Sequence, residues 1–208
     1  MIVIDNFIKD EEYLKELNDN KYLLFKDTYQ CESIWWDGWW KDKAKTIHQE
    51  LIEYIVKSNQ FIGDELISRV KIFEYWTHVH SNKLSVKLGD MKIDNIQYSG
   101  WHQNKNESAY RNKNDVIHPM FSVIFWPVEQ EVLSGGYLEI ISDKIDDDKC
   151  HDNGCPKDCH DFENYQKSER IKPKHNRLVI MNPSKWHRVK EVTDGTRWTF
   201  VFDGYDKY

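Results

Sequence analysis

The second half of the chain is divided into short apolar segments, and this division constrains the fold more than any other feature. Each segment is rich in β-branched and aromatic residues, which is typical of strands. Polar or glycine-containing stretches separate the segments, as turns do. The predicted strands cover residues 70–76, 96–101, 120–127, 136–141, 177–181 and 197–203. Many short strands in series predict a mainly β fold, a sandwich or barrel of the jelly-roll type.

Helical patterns precede these strands. Glu11–Leu17 follows Asp10, a candidate N-cap, and has acidic residues in its first turn, where they favour the helix dipole. Ala44–Ser58 has its apolar residues at helical spacing, which predicts an amphipathic helix packed against a sheet. A polar loop is predicted from His78 to Asn95. The architecture expected is therefore a β fold with flanking helices.

Composition limits the protein class. A length of 208 residues fits one domain, residues 1–208, with one insertion. The net charge of −6 argues against binding to a nucleic-acid backbone, which calls for a basic surface. No apolar run approaches the ~20 residues of a membrane helix, and the N-terminus lacks the pattern of a signal peptide. We therefore expect a cytoplasmic protein with no membrane or nucleic-acid partner and an undetermined oligomeric state.

The insertion, residues 143–170, is charged, poor in aliphatic residues and rich in cysteine and histidine. In a reducing compartment such a cluster favours a metal site over a disulfide framework. Structural zinc takes four such ligands, and the candidates are Cys150, Cys155 and Cys159 with His160 or His151. The spacing matches no common zinc-finger signature. A cysteine pair oxidised in handling and a metal-free acidic loop with free thiols remain alternatives.

Two residues near the C-terminus suggest a functional site. His187 follows a predicted turn, and neutral imidazole is the commonest metal ligand. Arg197 lies ten residues later on a predicted strand, and its planar guanidinium suits a carboxylate. Each residue alone has an ordinary explanation, a surface or core histidine and a salt-bridged strand arginine. Together they predict a metal beside an organic acid.

A second histidine, His102, ends another predicted strand. A non-haem Fe(II) oxygenase holds its iron with two histidines and one carboxylate, which leaves positions open for co-substrate and oxygen. The residue two after His102, which points the same way on a strand, is Asn104 rather than a carboxylate. Glu107 and Asp115 are the acidic residues that follow it, although their spacing does not favour either as a substitute.

Several segments, in their order along the chain, resemble the prolyl-4-hydroxylase-like branch of the 2-oxoglutarate/Fe(II)-dependent dioxygenase superfamily. The match covers roughly residues 68–205 without the insertion. The ten-residue step from His187 to Arg197 belongs to it. The segments that carry it are Phe73–Trp76, Trp101–Glu107, His118–Pro127, Gly135–Glu139, Trp186–Val189 and Val192–Thr199.

This resemblance implies a double-stranded β-helix and a site for iron and 2-oxoglutarate. His102 and His187 would ligate iron, with Asn104 in the position of the usual carboxylate. Arg197 would bind the distal carboxylate of 2-oxoglutarate, helped by the hydroxyl of Thr199, and Tyr98 is a further candidate for the cofactor pocket. The implied activity is hydroxylation of a small-molecule or peptide substrate. The alternative is a catalytically impaired or non-enzymatic jelly-roll binding protein that retains the pocket.

Overall fold

The structure, a computed structural model, describes residues 1–26, 33–58, 62–83, 85–94, 99–130, 133–141 and 168–207. Over these ranges the chain forms antiparallel sheets with a group of helices on one side. The predicted mainly β architecture with flanking helices is confirmed. None of the helices within these ranges has the length and apolar character needed to cross a membrane.

The first helix begins where the sequence supplies a cap and an acidic first turn. Asp10 caps this helix, because its side chain accepts a hydrogen bond from the backbone N–H of Tyr13. The third helix buries Leu51, Ile52 and Ile55 on one face. Within the described ranges the helices are α1 (Glu11–Asp19), α2 (Lys21–Lys26), α3 (Ile47–Ser58), α4 (Asp64–Arg69) and α5 (Glu107–Lys113).

A six-stranded antiparallel sheet, the major sheet, forms the centre of the molecule. Its strands are β1 (Ile2–Asp5), β2 (Ile34–Trp36), β3 (Ile72–Ser81), β7 (Phe121–Phe125), β11 (Arg177–Met181) and β14 (Thr196–Tyr205). They follow the order β1, β11, β7, β14, β3, β2. β14 pairs with β3 over ten residues, and this is the longest contact in the sheet.

A four-stranded sheet, the minor sheet, packs against the face of the major sheet that the helices leave open. Its order is β10, β9, β12, β6, with strands β6 (Ser99–His102), β9 (Leu138–Ile141), β10 (Ser168–Ile171) and β12 (His187–Val189). Ile141 and Ser168, the residues on either side of positions 142–167, are directly paired between β9 and β10. β10 thus begins inside the range predicted as an insertion.

The described ranges also contain two small sheets of two strands each. One joins β4 (Ser85–Leu88) to β5 (Met91–Asp94), and the other joins β8 (Ser134–Gly135) to β13 (Val192–Asp194). The prediction of a polar loop over 78–95 is wrong at both ends of that range. Residues 78–81 continue β3, because β14 supplies a hydrogen-bonding partner for each of them.

The alternation of side chains along β14 separates a structural face from a cavity face. Trp198, Phe200 and Phe202 are buried in the core shared with the helices. The residues between them face the space between the two sheets, as the period of two requires. These residues are Arg197, Thr199, Val201 and Asp203. One strand therefore anchors the helix layer and lines the candidate site.

Candidate functional site

A cavity of about 450 Å³ lies between the major and minor sheets. It is the natural place for a ligand in a small β-barrel or sandwich, where side chains otherwise fill the interior. The sequence-predicted residues His102, Asn104, His187, Arg197 and Thr199 all line it. The further lining residues used below are Glu74, Trp76, His78, His80, Lys105, Arg111 and Asp203.

The two predicted iron ligands are neighbours on adjacent strands. His102 on β6 and His187 on β12 are directly paired, and their ring centroids are 4.3 Å apart. Nδ1 of His102 lies 2.8 Å from the carbonyl oxygen of Gly100, and Nδ1 of His187 lies 2.9 Å from that of Lys185. A carbonyl only accepts, so each Nδ1 carries the proton. Each Nε2 is therefore the atom with a lone pair for a metal.

His187 is poised to act as a neutral ligand. It is buried, whereas His102 is exposed. Burial, reinforced by the nearby His102, lowers the pKa of His187 to about 3. A metal requires the unprotonated imidazole, so no proton competes with it at this residue near neutral pH.

Asn104 is held in a defined orientation beside the histidine pair. Its backbone N–H donates to the carbonyl of Pro183 over 3.1 Å. Its side-chain Nδ2 donates to Ser122 Oγ over 3.1 Å and to Asp203 Oδ1 over 3.2 Å. Both amide protons are thereby used, and no described residue donates to Oδ1. The carbonyl oxygen of Asn104 is the atom left to meet a metal.

The partners of Asn104 explain this orientation. Ser122 also hydrogen-bonds to Asp203, so its single hydroxyl proton is directed to that carboxylate and its oxygen accepts from Asn104. Burial raises the pKa of Asp203 well above its usual range, and the charge of Glu74 raises it further. The hydrogen bonds from Ser122 and Asn104 act in the opposite direction. A buried acid, and not solvent, therefore fixes the amide.

Arg197 lies in the cavity without an anionic partner. The guanidinium is buried, and Nη1 lies 3.2 Å from Nδ1 of His80. Nε has no partner, and no described carboxylate forms an ion pair with Arg197. Burial lowers the pKa of Arg197 to about 9, which leaves it charged near neutral pH. A buried unpaired cation is costly, so the ordinary explanation of a salt-bridged strand arginine does not hold here.

Other polar atoms around Arg197 are also left without partners. The hydroxyl of Thr199, two residues along the same face, has none, and neither have Nδ1 of His78 and Nε2 of His80. All of these residues are deeply buried in the cavity wall or line it. Buried polar groups are normally satisfied, so such a group of orphans indicates a missing polar ligand. A dicarboxylate such as 2-oxoglutarate fits this set of donors.

His78, His80, Glu74 and Asp203 were not predicted as site residues. The first two belong to a segment predicted as a loop. Burial lowers the pKa of His78 to about 3 and that of His80 well below its usual range, with the charge of Arg197 contributing in both cases. The signal that would have found them is the alternation of residues 74, 76, 78 and 80, which continues the period of β3.

The remaining candidates lie elsewhere. Tyr98 and the proposed zinc ligands Cys150, Cys155, Cys159 and His160 fall outside the described residues. Asp115 is exposed and does not line the cavity. Within the described ranges, no three histidine, cysteine, aspartate or glutamate side chains are grouped as metal ligands. Asn104, predicted in the position of the usual carboxylate, lines the same cavity as the histidine pair.

Comparison with known proteins gives the family. A solved prolyl-4-hydroxylase from Pseudomonas putida superposes with a TM-score of 0.53 at 11% identity, covering 100% of this chain and 92% of its own. A viral collagen prolyl hydroxylase from Paramecium Bursaria Chlorella virus-1 gives 0.46 at 14% identity, over 99% and 90% of the two chains. No curated protein matches the sequence. The first superposition shows the predicted double-stranded β-helix, and the family model of the 2OG-Fe(II) oxygenase superfamily matches residues 91–202. Because that match covers more than half of the sequence, the chain belongs to the 2OG-Fe(II) oxygenase superfamily.

Proposed function

We propose that this protein is an Fe(II)- and 2-oxoglutarate-dependent hydroxylase whose iron is held by two histidines and an asparagine. The observation that carries the proposal is the content of the single cavity between the sheets. A paired His102 and His187 lie in the same space as a buried Arg197 that lacks an anion. The metal and the organic acid thus have complementary sites in one pocket.

The metal site is defined by three donors of different strength. His102 and His187 supply Nε2, since each Nδ1 is committed to a backbone carbonyl. Asn104 supplies a neutral carbonyl oxygen, which offsets none of the metal's charge. Iron with 2-oxoglutarate and dioxygen supplies the oxidant for hydroxylation of a C–H bond, and 2-oxoglutarate is converted to succinate and carbon dioxide.

The residues of β14 bind and orient the co-substrate. Arg197 forms charge-assisted hydrogen bonds to the distal carboxylate, and the hydroxyl of Thr199 donates to the same group. Apolar side chains of both sheets, Ile124, Leu138 and Val201, also line the cavity. They keep water from the guanidinium, and a drier site strengthens the ion pair.

A second candidate function follows from Asn104. A protein that lost its iron carboxylate can keep the pocket as a binding site without turnover. The 2-oxoglutarate site would then be intact, whereas Fe(II) would bind weakly and no succinate would form. The two candidates therefore differ in metal-dependent turnover and agree in co-substrate binding.

The test is spectroscopic and chemical. Anaerobic addition of Fe(II) and 2-oxoglutarate is expected to give a weak visible charge-transfer band, and oxygen is expected to yield succinate. A band without succinate, across a panel of amines, amino acids and peptides, would support the non-catalytic candidate. Absence of both at high Fe(II) would refute the enzyme proposal.

A variant of Arg197 tests the co-substrate site separately. Arg197→Met keeps the length of the side chain and removes its charge. Loss of one partner in a buried charge pair costs about 2–5 kcal/mol, so 2-oxoglutarate affinity is expected to fall at least 30-fold, as measured by calorimetry. Arg69→Met is the matched control, because Arg69 is exposed and bonded to Asp206. Equal 2-oxoglutarate affinity in the two variants would contradict the assignment.

A further inference from the structure

One end of the cavity is lined by two acidic side chains. Asp203 on β14 and Glu74 on β3 are directly paired across the two strands. Both side chains line the cavity, and both are buried, with 1% and 7% of their surface exposed. Neither contacts iron or 2-oxoglutarate directly in the proposed function, in which Asp203 only orients Asn104.

Asp203 is only partly satisfied. Oδ1 accepts from Asn104 Nδ2, whereas Oδ2 is buried and has no hydrogen-bond partner. No described lysine, arginine or histidine forms an ion pair with it. A buried carboxylate normally needs a cation or several donors, since it loses its hydration on burial. The open oxygen lies in the wall of a cavity large enough for a ligand.

Glu74 adds a second acidic group at the same place. Its Oε2 accepts a hydrogen bond of 2.8 Å from the hydroxyl of Tyr205, which fixes the carboxylate against the strand. Carboxyl groups on two directly paired residues offer several acceptor oxygens to one positively charged ligand.

The cations of the cavity do not meet Asp203. Arg197 is six residues away on the same strand, which is roughly 20 Å at ~3.3 Å per residue. Lys105 places its ammonium group over the ring of Tyr110, 3.4 Å from the centroid. Arg111 lines the cavity as well but makes no ion pair with Asp203. Among the described residues, no cation of the cavity therefore lies against the open oxygen of Asp203.

The cavity has a basic residue at one end and acidic residues at the other, and the histidine pair lines the same cavity. Arg197 marks the end for the dicarboxylate, and Asp203 marks the other end. Asn104 connects the acid to the metal site, since Asp203 Oδ1 lies 3.2 Å from its Nδ2. Trp76, half-buried in the wall between them, offers an aromatic face of the kind that attracts organic cations.

We propose that Asp203 and Glu74 form the binding site for a cationic group of the substrate, an ammonium or a guanidinium. This inference rests on the proposed function, because it assumes that the histidine pair marks the reacting centre. It assigns the substrate to the class of amines and guanidines. A cation held by Asp203 presents carbon atoms close to its charged group to the metal site beside Asn104.

An organic cation fits better than a second metal ion. The described part of the chain places only two carboxylates at this end, and they are not part of any three-residue metal cluster. A metal needs more donors than that, whereas an ammonium or guanidinium needs only acceptors around its N–H groups. The open Oδ2 of Asp203 supplies such an acceptor.

Three probes with the same butyl chain test the proposal: n-butylamine, n-butylguanidine and n-butanol. They are titrated into the full-length protein with Mn(II) and 2-oxoglutarate bound, and into the metal-free protein. Broadening of probe proton resonances by Mn(II) reports binding near the histidine pair. We expect the two cations to bind at least 10-fold more tightly than the alcohol. Mg²⁺ added alone is expected not to compete with them.

Charge-neutralising variants assign the effect to the two acids. Asp203→Asn keeps an acceptor for Asn104 and is expected to remove the preference for the cations. The two cations are expected to bind at least 30-fold more weakly, which is the lower limit for loss of one partner in a buried charge pair. Glu74→Gln keeps an acceptor for Tyr205 and is expected to weaken the binding of the two cations as well. Asp206→Asn is the matched control, because Asp206 lies outside the cavity, bonded to Arg69.

The outcomes separate this inference from the proposed function. Failure of Mn(II) and 2-oxoglutarate to bind the unmodified protein refutes the proposed function, and the metal-free titration still tests the acid pair. Equal binding of n-butanol and the cations overturns the inference, as does cation binding by Asp203→Asn equal to that of Asp206→Asn. If Asp203 serves only to orient Asn104, Asp203→Asn loses Mn(II) affinity and keeps the preference for cations. That result also overturns the inference.

Discussion

The contact between Asn104 and Asp203 predicts what happens when the missing carboxylate is restored. Asn104→Asp supplies the acid that a conventional iron site carries. In this protein the change also replaces the donor Nδ2 by a carboxylate oxygen 3.2 Å from Asp203 Oδ1. The restored ligand is therefore placed against a buried acid with which it cannot share a hydrogen bond unless one of the two is protonated.

The expected cost follows from this distance. Two unit charges 3.2 Å apart repel by about 5 kcal/mol at an effective dielectric constant of about 20. Protonation of one carboxyl limits the cost at pH 7 to about 4 kcal/mol, since three pH units of 1.36 kcal/mol separate pH 7 from an ordinary aspartate pKa. The pKa of Asp203 is already raised, which lowers the cost further. We expect a coupling free energy of about 2–4 kcal/mol.

A double-mutant cycle measures this coupling. The free energy of unfolding of the metal-free protein is obtained by urea denaturation, with tryptophan fluorescence as the signal, for the unmodified protein, Asn104→Asp, Asp203→Asn and the double variant. The first substitution alone is expected to destabilise the fold. The double variant exchanges donor and acceptor and is expected to recover most of the loss. It is also expected to bind Mn(II) more tightly than the unmodified protein, because its carboxylate offsets one metal charge.

Additivity would refute this reasoning. If the two single substitutions sum to the double within about 0.5 kcal/mol, Asn104 and Asp203 are not coupled. Asn104→Asp alone could also prove fully stable and bind Mn(II) as tightly as the double variant. In that case residue 104 has merely lost the usual carboxylate, and Asp203 does not explain why it is an asparagine.

Two further predictions concern Gly136 and the ion pair between Asp5 and Arg177. Gly136 has a φ of +65°, and a Cβ there would lie 3.1 Å from Val192 Cγ2 and 3.3 Å from Arg197 Cδ. Gly136→Ala is expected to destabilise the protein by about 1–2 kcal/mol, the usual cost of that conformation, and to raise the KM for 2-oxoglutarate; an unchanged KM would show that Arg197 does not depend on this space. The pKa of Asp5 is lowered to about 2 by Arg177, so its contribution to stability is present above pH 4 and is lost as pH falls towards 2. Because Asp5 is 40% exposed, Asp5→Asn is expected to cost less than about 1 kcal/mol at pH 7 in chemical denaturation. The cost is expected to be smaller at pH 2, where part of the carboxylate is protonated, and a cost independent of pH would contradict the ion pair.

Sequence patterns were sufficient for the parts of the site that are close in sequence. The ten-residue step from His187 to Arg197 and the same-face spacing of Arg197 and Thr199 both carry over to the structure. Each depends on one strand or one turn, where the period of two decides which way a side chain points. The long strands of the major sheet were also predicted, because each contains a continuous run of apolar residues.

The acidic end of the cavity was not predicted, because it depends on contacts between distant segments. Asp203 meets Glu74 only through the pairing of β14 with β3, and it meets Asn104 across 99 positions of sequence. His78 and His80 were assigned to a loop because polar residues usually leave a strand for solvent. In this fold they continue β3 and line the cavity.

β9 and β10 are directly paired at Ile141 and Ser168, the residues on either side of positions 142–167. A connection whose two ends are held together in this way costs little to lengthen, since each doubling of its length adds only about 0.6 kcal/mol of closure entropy. Related chains are therefore expected to lengthen, shorten or exchange positions 142–167, with or without the cysteines, while β9 and β10 keep their register.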